Sequence, residues 1–110
     1  MARLREDRLF EKFRRTGDVR ALAAVFDRAA PVLWRIAVRI SPDAHTAEDL
    51  VQNSFLVAIE SADSWDASRP VVPWILGILT NQARLARRRA AQSGGRAEAT
   101  RRRSMAIDRS

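Results

Sequence analysis

The sequence contains no cysteine, a single histidine (His45) and a single lysine (Lys12). Without cysteine, disulfides and thiolate metal sites are excluded, and one histidine cannot build a histidine metal site. No apolar run approaches the roughly 20 residues that a membrane-spanning helix requires. The charged N-terminus also lacks a signal-type apolar segment. We therefore expect a cytoplasmic protein that has no cofactor and does not contact a membrane.

Catalytic motifs are missing as well. The sequence offers no paired nucleophile and base, no Gly-rich phosphate loop and no metal-binding cluster, so we predict that the protein is not an enzyme. Its 110 residues leave room for one small domain with a single modest core.

Positive charge is concentrated at the C-terminal end. Residues 84 to 110 hold nine arginines against two acids, a net charge of +7, which equals the net charge of the whole chain. The preceding residues are therefore neutral overall. An arginine-rich segment of this kind either follows a phosphate backbone or forms a solvated tail. We predict a domain over residues 1 to 90 and a flexible, basic linker or tail over residues 91 to 110.

Glycine and proline divide the chain into helical blocks, and no period-two alternation long enough for a sheet occurs. The first block runs from about Arg3 to Arg15 and ends at Gly17. Asp18 is expected to cap a second helix whose apolar residues recur every three or four positions, namely Leu22, Phe26, Ala29, Leu33, Ile36 and Ile40. Pro31 is expected to kink this helix. We predict an all-α fold, a compact bundle of about four helices.

A third helix is expected to begin at a capping box formed by Thr46 and Asp49. Its buried face should comprise Ala47, Leu50, Val51, Ser54, Phe55, Ala58 and Ile59. A polar loop containing Trp65 follows, and then a fourth helix that runs to about Arg89 with the apolar stripe Trp74, Ile75, Ile78, Leu79 and Ala86. Asn81, Arg84 and Arg88 share another face of that helix by their spacing.

The third helix, the loop and the fourth helix read AEDLVQNSFLVAI, DSWDASRP and PWILGILTNQARLARRR. In that order they resemble region 2 of the extracytoplasmic-function sigma factors. Members of that family show an A-E-D-L-V-Q-E-x-F helix, an aromatic-Asp loop, and a W-L-x-x-I-A-x-N helix that ends in arginines. The segment FDRAAPVLWRIAVRI also resembles the preceding part of that region, so the resemblance covers about residues 18 to 90.

The resemblance implies that the third helix docks on the RNA polymerase core, at a coiled coil of its largest subunit. The positions that match the family's docking helix are Glu48, Asp49, Gln52, Asn53 and Leu56. Exposed acids and amides near a helix N-terminus are suited to hydrogen-bonding an Arg-bearing partner helix. An anti-sigma factor is a second candidate partner.

The resemblance also implies recognition and melting of the promoter minus-ten element through its non-template strand. The matching loop, which receives an extruded base in the family, comprises Trp65, Asp66, Ala67, Ser68 and Arg69. Asn81 matches the polar residue at the floor of that pocket, and Arg84, Arg87 and Arg88 are expected to hold phosphates. Base capture needs a stacking surface and hydrogen-bonding groups for the base edge, whereas phosphate contacts supply affinity without sequence information.

The sequence departs from the family pattern at several positions. Asn53 stands where Glu is common, Thr80 stands where Arg is common, and Val71, Val72 and Pro73 replace aromatic or hydroxyl residues. These departures reduce the DNA contacts on offer more than the docking contacts. The family's helix-turn-helix domain, region 4, does not follow in this sequence either. We expect the tail to lead to a missing region 4 domain, and the alternative is an atypical factor that lacks it.

Alternative interpretations remain open from the residues alone. Trp65 is as well explained by packing on the core as by a base pocket, and Trp34, Trp74 and the phenylalanines are expected to be core residues. The chain could also be a sigma-like interaction module that an anti-sigma or other regulatory protein binds without DNA contact. A generic basic DNA binder is disfavoured, because no helix combines a short turn with base-reading polar residues at its start.

Overall fold

The computed structural model describes residues 4 to 108, and it describes side chains for residues 4 to 92. Four α-helices follow one another: α1 (Arg5–Thr16), α2 (Val19–Ile40), α3 (Ala44–Glu60) and α4 (Val71–Asp108), with a short 3₁₀ turn at Ala62–Ser64 between the last two. No strand occurs in this part of the chain. The predicted all-α bundle of about four helices is confirmed.

The starts and ends of the first two helices follow from local chemistry. Gly17 ends α1 in the left-handed conformation, with φ of 74°, and donates its N–H to the Phe13 carbonyl. This conformation suits glycine because glycine has no Cβ. Asp18 then caps α2 as predicted, since its carboxylate accepts from the backbone N–H groups of Arg20 and Ala21. Pro31 lies inside one unbroken helix, and the kink expected there stays a prediction.

The predicted capping box at the start of α3 is wrong. The helix begins three residues earlier than that cap implies, at Ala44, and its N-cap is Asp43, whose carboxylate accepts from the Thr46 N–H at 2.7 Å. That hydrogen bond lowers the pKa of the Asp43 carboxyl from its ordinary value. Asp43 takes the cap because its backbone is extended directly after Pro42, which leaves Thr46 already inside the first turn.

The core lies where all four helices and the loop before α4 meet. Every third or fourth residue of α2 contributes, including Val25 and Ala37, which the predicted stripe omitted. The core residues are Phe10, Leu22, Val25, Ala29, Leu33, Ala37, Ala47, Leu50, Ala58, Ala62, Trp65, Val71, Ile75, Leu79 and Ala83. Phe26 and Phe55 stack at the edge of this core with centroids 4.1 Å apart, and they join α2 to α3. Burial of this kind stabilises the fold by about 25 cal/mol per Å² of apolar surface.

Several residues predicted to be buried are exposed. Trp34 was expected in the core but is 41% exposed, because it follows Leu33 and helix geometry turns it by about 100° from that buried stripe. Ile40 and Ile59 are exposed near the C-terminal ends of α2 and α3. Ala86 is exposed because a groove, which Ile40 also lines, separates it from the junction of α2 and α3. Trp34 is thus a large apolar side chain on the surface of α2 that does not serve the core.

Helix α4 continues beyond the end near Arg89 that the sequence predicts, and it is assigned to Asp108. Residues 84 to 92 are mainly Arg and Ala, which favour helix, so no local signal stops it there. The predicted tail, residues 91 to 110, lies almost wholly outside the residues whose side chains are described. Its flexibility and the domain boundary at residue 90 stay predictions. Over the described residues no helix is both long and apolar enough to cross a membrane.

Candidate nucleic-acid interface

The loop between α3 and α4, residues 61 to 70, is held by its own hydrogen bonds. Trp65 donates its backbone N–H to the Ala62 carbonyl, and Arg69 donates to the Asp66 carbonyl at 2.9 Å. The Asp66 carboxylate accepts from both the hydroxyl and the N–H of Ser68, at 2.7 Å and 3.0 Å. The hydroxyl contributes most to lowering the pKa of Asp66. The loop thus presents a fixed anionic acceptor at its surface.

Trp65 lies in the core and is 2% exposed. Its ring meets Phe10 edge to face at a centroid distance of 5.2 Å. Its indole N–H donates to the Arg69 carbonyl at 3.1 Å, which closes the loop from the inside. The interpretation of Trp65 as an aromatic packed on the core is therefore confirmed. A ring buried in this way offers little free surface on which a base can stack.

A groove of about 460 Å³ runs between the loop and the first turns of α4. Its walls are Ser64, Trp65, Asp66, Arg69, Pro70, Pro73 and Trp74. Trp74 is only partly buried, and its ring packs against Phe10 at 5.7 Å while it lines this groove. The aromatic surface available here is therefore Trp74, which sequence reasoning assigned to the core. Its position in the first turn after the loop was the signal that could have identified it.

Asn81 does not line this groove. It is exposed on α4, two helical turns after Trp74, about 10 Å further along the helix axis at 1.5 Å per residue. Arg84 and Arg88 are exposed at helical spacings from Asn81 and continue the same face. Arg87 instead lines a separate groove with residues from the junction of α2 and α3, among them Ile40 and Pro42. Asn81, which was predicted to form the floor of the loop pocket, therefore lies away from the loop and shares a face of α4 with Arg84 and Arg88.

The residues predicted to dock on a protein partner are all exposed on one side of α3: Glu48, Asp49, Gln52, Asn53 and Leu56. Gln52 donates to the Glu48 carboxylate at 3.4 Å, and Asp49 lies 3.5 Å from the His45 ring. Leu56 is 56% exposed. These polar groups make only loose contacts with neighbours on their own helix, so they remain available to an external partner.

A second groove, of about 480 Å³, lies beside that face between α2 and α3. Its walls are Asp27, Ala30, Pro31, Trp34, Glu48, Val51 and Gln52. The exposed Trp34 ring therefore adjoins the acids and amides of α3. Sequence reasoning missed this residue as a surface group, although its position off the apolar stripe of α2 was the available signal.

A family-model comparison matches sigma-70 region 2 over residues 25–93, more than half of the chain. The chain belongs to the sigma-70 region 2 family. Similarity to two ECF RNA polymerase sigma factors confirms the resemblance that the motifs indicated.

Curated relatives of this region 2 chain are sigma factors from three bacteria. The ECF RNA polymerase sigma factor SigL of Mycobacterium tuberculosis is 38% identical over 61 residues, which cover 54% of this chain and 34% of SigL. SigW of Bacillus subtilis is 32% identical over 59% of this chain and 35% of its own length. CarQ of Myxococcus xanthus is 35% identical over 67% and 42%. The chain thus spans about a third to two fifths of these relatives.

Among solved structures, this region 2 resembles an engineered region 2 of sigmaE determined by NMR in complex with GTAAAA. The TM-score is 0.69 at 26% sequence identity, and the match covers 84% of this chain and 95% of that one. Almost the whole of that domain therefore has a counterpart here.

The departures from the family pattern acquire structural roles in this region 2. Val71 is fully buried and begins α4, so it serves the core. Pro73 lies in the first turn of α4, where its missing N–H costs no helical bond, and it lines the groove with Trp74. Thr80 turns its hydroxyl back to the Gly77 carbonyl at 2.9 Å. Val71 is therefore used in the core and Thr80 in a bond within its own helix, whereas Pro73 contributes to the groove surface.

Proposed function

We propose that this chain is the sigma-factor domain that docks on the coiled coil of the largest RNA polymerase subunit and recognises the minus-ten element during transcription initiation. The observation that carries the proposal is the match to nearly all of an engineered region 2 that was solved in complex with GTAAAA. The domain is a binding module, and catalysis belongs to the polymerase. This function requires a cytoplasmic location, where a bacterial polymerase works.

The groove between the loop and α4 supports single-strand recognition. It has the size of a small-ligand site. The Trp74 ring offers a stacking surface, and stacking of a base on an aromatic side chain is worth roughly 1–3 kcal/mol by alanine substitution. The anionic Asp66 carboxylate can accept hydrogen bonds from a base. The exposed Arg69 guanidinium, which lies 3.9 Å from that carboxylate, can donate hydrogen bonds to a base. The groove therefore combines a stacking wall with groups that can read the edge of an extruded base.

The exposed face of α4 supports contacts to the strand that flanks such a base. Asn81, Arg84 and Arg88 follow one another along this face. Two guanidinium groups there provide affinity and register through phosphates, while the Asn81 amide can donate and accept toward one base. Because Asn81 stands about two turns from Trp74, we propose that the two residues contact different nucleotides.

A titration tests the DNA half of the proposal. Single-stranded DNA of sequence GTAAAA should bind the chain at low salt, more tightly than CCCCCC and more tightly than the GTAAAA duplex, which must first be unpaired. Trp74→Leu should weaken GTAAAA binding about tenfold or more. Arg88→Ala should weaken both oligonucleotides alike and reduce the slope of log K against log salt by about 0.7. Asn81→Ala should chiefly remove the sequence preference.

The second groove and the α3 face support docking on a protein. The half-exposed Trp34 lies beside acidic and amide side chains, which is typical of protein interfaces. In such interfaces a few aromatic residues surrounded by a polar rim supply most of the binding energy. The acids Asp27, Glu48 and Asp49 complement an Arg-bearing partner helix.

A pull-down of core polymerase tests the docking half. The double variant Asp49→Ala with Gln52→Ala should keep the helical circular dichroism and lose the polymerase, whereas Glu60→Ala, an exposed acid at the far end of α3, should retain it. Retention by the folded double variant would refute docking through this face. If the polymerase binds but no oligonucleotide does, the chain is instead an interaction module of sigma shape, for which an anti-sigma protein is the candidate partner.

A further inference from the structure

One face of α1 contacts the beginning and the middle of the loop over residues 61 to 70, and also the first residue of α4, which follows the loop. Asp7, Phe10 and Arg14 stand three and four residues apart, so they share that face. Arg14 reaches the carbonyls of Ala62 and Trp65. Phe10 contacts the Trp65 ring, and Asp7 binds the first residue of α4. None of the three lines the groove beside Trp74, so they act on the loop without forming its binding surface.

Asp7 caps α4 from a distant part of the chain. Its carboxylate is buried, at 6% exposure, and accepts from the Val71 N–H at 2.7 Å, across 64 residues of sequence. The residue before α4 is Pro70, which has no side-chain acceptor of its own. A carboxylate at a helix N-terminus satisfies an unpaired N–H and interacts favourably with the helix dipole. Asp7 therefore fixes where α4 begins relative to the loop.

Arg14 holds the other end of the loop. Its guanidinium lies 3.5 Å from the Ala62 carbonyl, contacts the Trp65 carbonyl more closely, and stands over the Trp65 ring at 5.2 Å. A planar guanidinium has five donors in a rigid fork, which suits it to join two carbonyls. Trp65 is thereby held through its backbone by Arg14 and through its ring by Phe10.

We propose that α1 is a clamp that sets the shape of the base-receiving loop, with Asp7 and Arg14 as positioning residues for single-strand recognition. The proposal rests on the proposed function of the groove. All three clamp residues, Asp7, Phe10 and Arg14, precede the segment that matches the family model, which begins at residue 25. The clamp thus assigns a role in recognition to a helix that the family match does not include.

Binding experiments on the full chain test the clamp with a matched pair of variants. Arg14→Gln and the neighbouring Arg15→Gln remove the same charge from α1, but Arg15 is exposed and lies off the clamp face. Arg14→Gln should weaken binding of single-stranded GTAAAA about tenfold, and Arg15→Gln less than twofold. Arg14→Lys, which keeps one charged donor, should recover part of the loss. Core polymerase binding should be unchanged in all three variants, since the α3 face lies elsewhere.

Hydrogen exchange of the loop supplies a readout that does not need DNA. Arg14→Gln should speed exchange of the Trp65 amide and the Trp65 indole N–H, while amides in the middle of α3 keep their protection. Asp7→Asn, which retains an acceptor, should leave the Val71 amide better protected than Asp7→Leu does.

Three results would overturn the clamp. The first is equal loss of GTAAAA binding in Arg14→Gln and Arg15→Gln, and the second is loop exchange in Arg14→Gln at the wild-type rate. The third is a parallel loss of polymerase binding, which would make the contact a matter of general stability. Failure of the wild type to bind GTAAAA refutes the proposed function instead, and it is distinguishable because the exchange result stands independently.

Discussion

Gly77 is a glycine in the middle of α4, and the fold gives no steric reason for it. Its φ is not in the left-handed region, it is exposed, and a Cβ built there meets no atom within 4 Å. Glycine in a helix interior costs about 1 kcal/mol relative to alanine, because its backbone loses more freedom on folding. Gly77→Ala should therefore stabilise the chain by about 1 kcal/mol. For a domain of this size that raises Tm by roughly 4–8 °C.

Gly17→Ala is the matched control, because a Cβ at Gly17 also meets nothing within 4 Å. The difference is its φ of +74°, a conformation that costs other residues roughly 1–2 kcal/mol. The same substitution should therefore lower Tm at residue 17 and raise it at residue 77. Thermal melts followed by circular dichroism at 222 nm, with urea unfolding as a second measure, give both values. A Tm of Gly77→Ala at or below wild type would refute the reasoning, since it would mean that α4 does not behave as a free helix there.

Three further predictions follow from burial and capping. Trp65→Ala should destabilise the domain by roughly 3–5 kcal/mol in urea unfolding, because it empties a core site; a change under 1 kcal/mol would contradict the burial of this ring. Leu56→Ala should change stability by no more than about 0.5 kcal/mol yet weaken polymerase binding, and unchanged binding would remove Leu56 from the docking face. Backbone N–H groups donate to the caps Asp18 and Asp43, which lowers the pKa of both carboxyls. The stability that these caps give the folded domain is therefore present above about pH 4 and is lost as the pH falls through the lowered pKa values. The Asp18→Asn and Asp43→Asn double variant keeps the caps without the titration, so its acid unfolding should be less steep; an identical acid profile would show that other carboxylates dominate.

Local patterns predicted the helices well. The Gly17 stop and the Asp18 cap are properties of a short segment, and the structure has them as expected. The predicted apolar stripe of α2 was right in its helical spacing but omitted Val25 and Ala37 and included the exposed Ile40. The start of α3 was wrong because two capping residues stood three positions apart, and local sequence does not decide which one the chain uses. The predicted end of α4 near Arg89 was wrong because no residue between 84 and 92 disfavours a helix.

The candidate site was harder to predict, because the contacts that build it join distant parts of the chain. The bonds from Asp7 to Val71 and from Arg14 to Trp65 span 64 and 51 residues, so no window of sequence contains both partners. An aspartate on the apolar face of α1 was the only local sign that a buried acceptor was needed there. Trp34 was predicted to be buried because tryptophan is usually buried. Its offset from the α2 stripe indicated the exposure that the structure shows.

The distance between α1 and its partners also constrains how the domain assembles during synthesis. Val71 follows Asp7 by 64 residues, so at 5–20 residues per second the ribosome needs roughly 3–13 s to supply the partner of that carboxylate. Until then Phe10 has neither Trp65 nor Trp74 to cover it. Helix α1 can pack on α2 early, but its contacts with the loop and with α4 form only after residues 61 to 71 have been made. Until the whole domain has been made, chaperones and proteases can therefore meet a charged α1 whose Phe10 side chain is only partly covered.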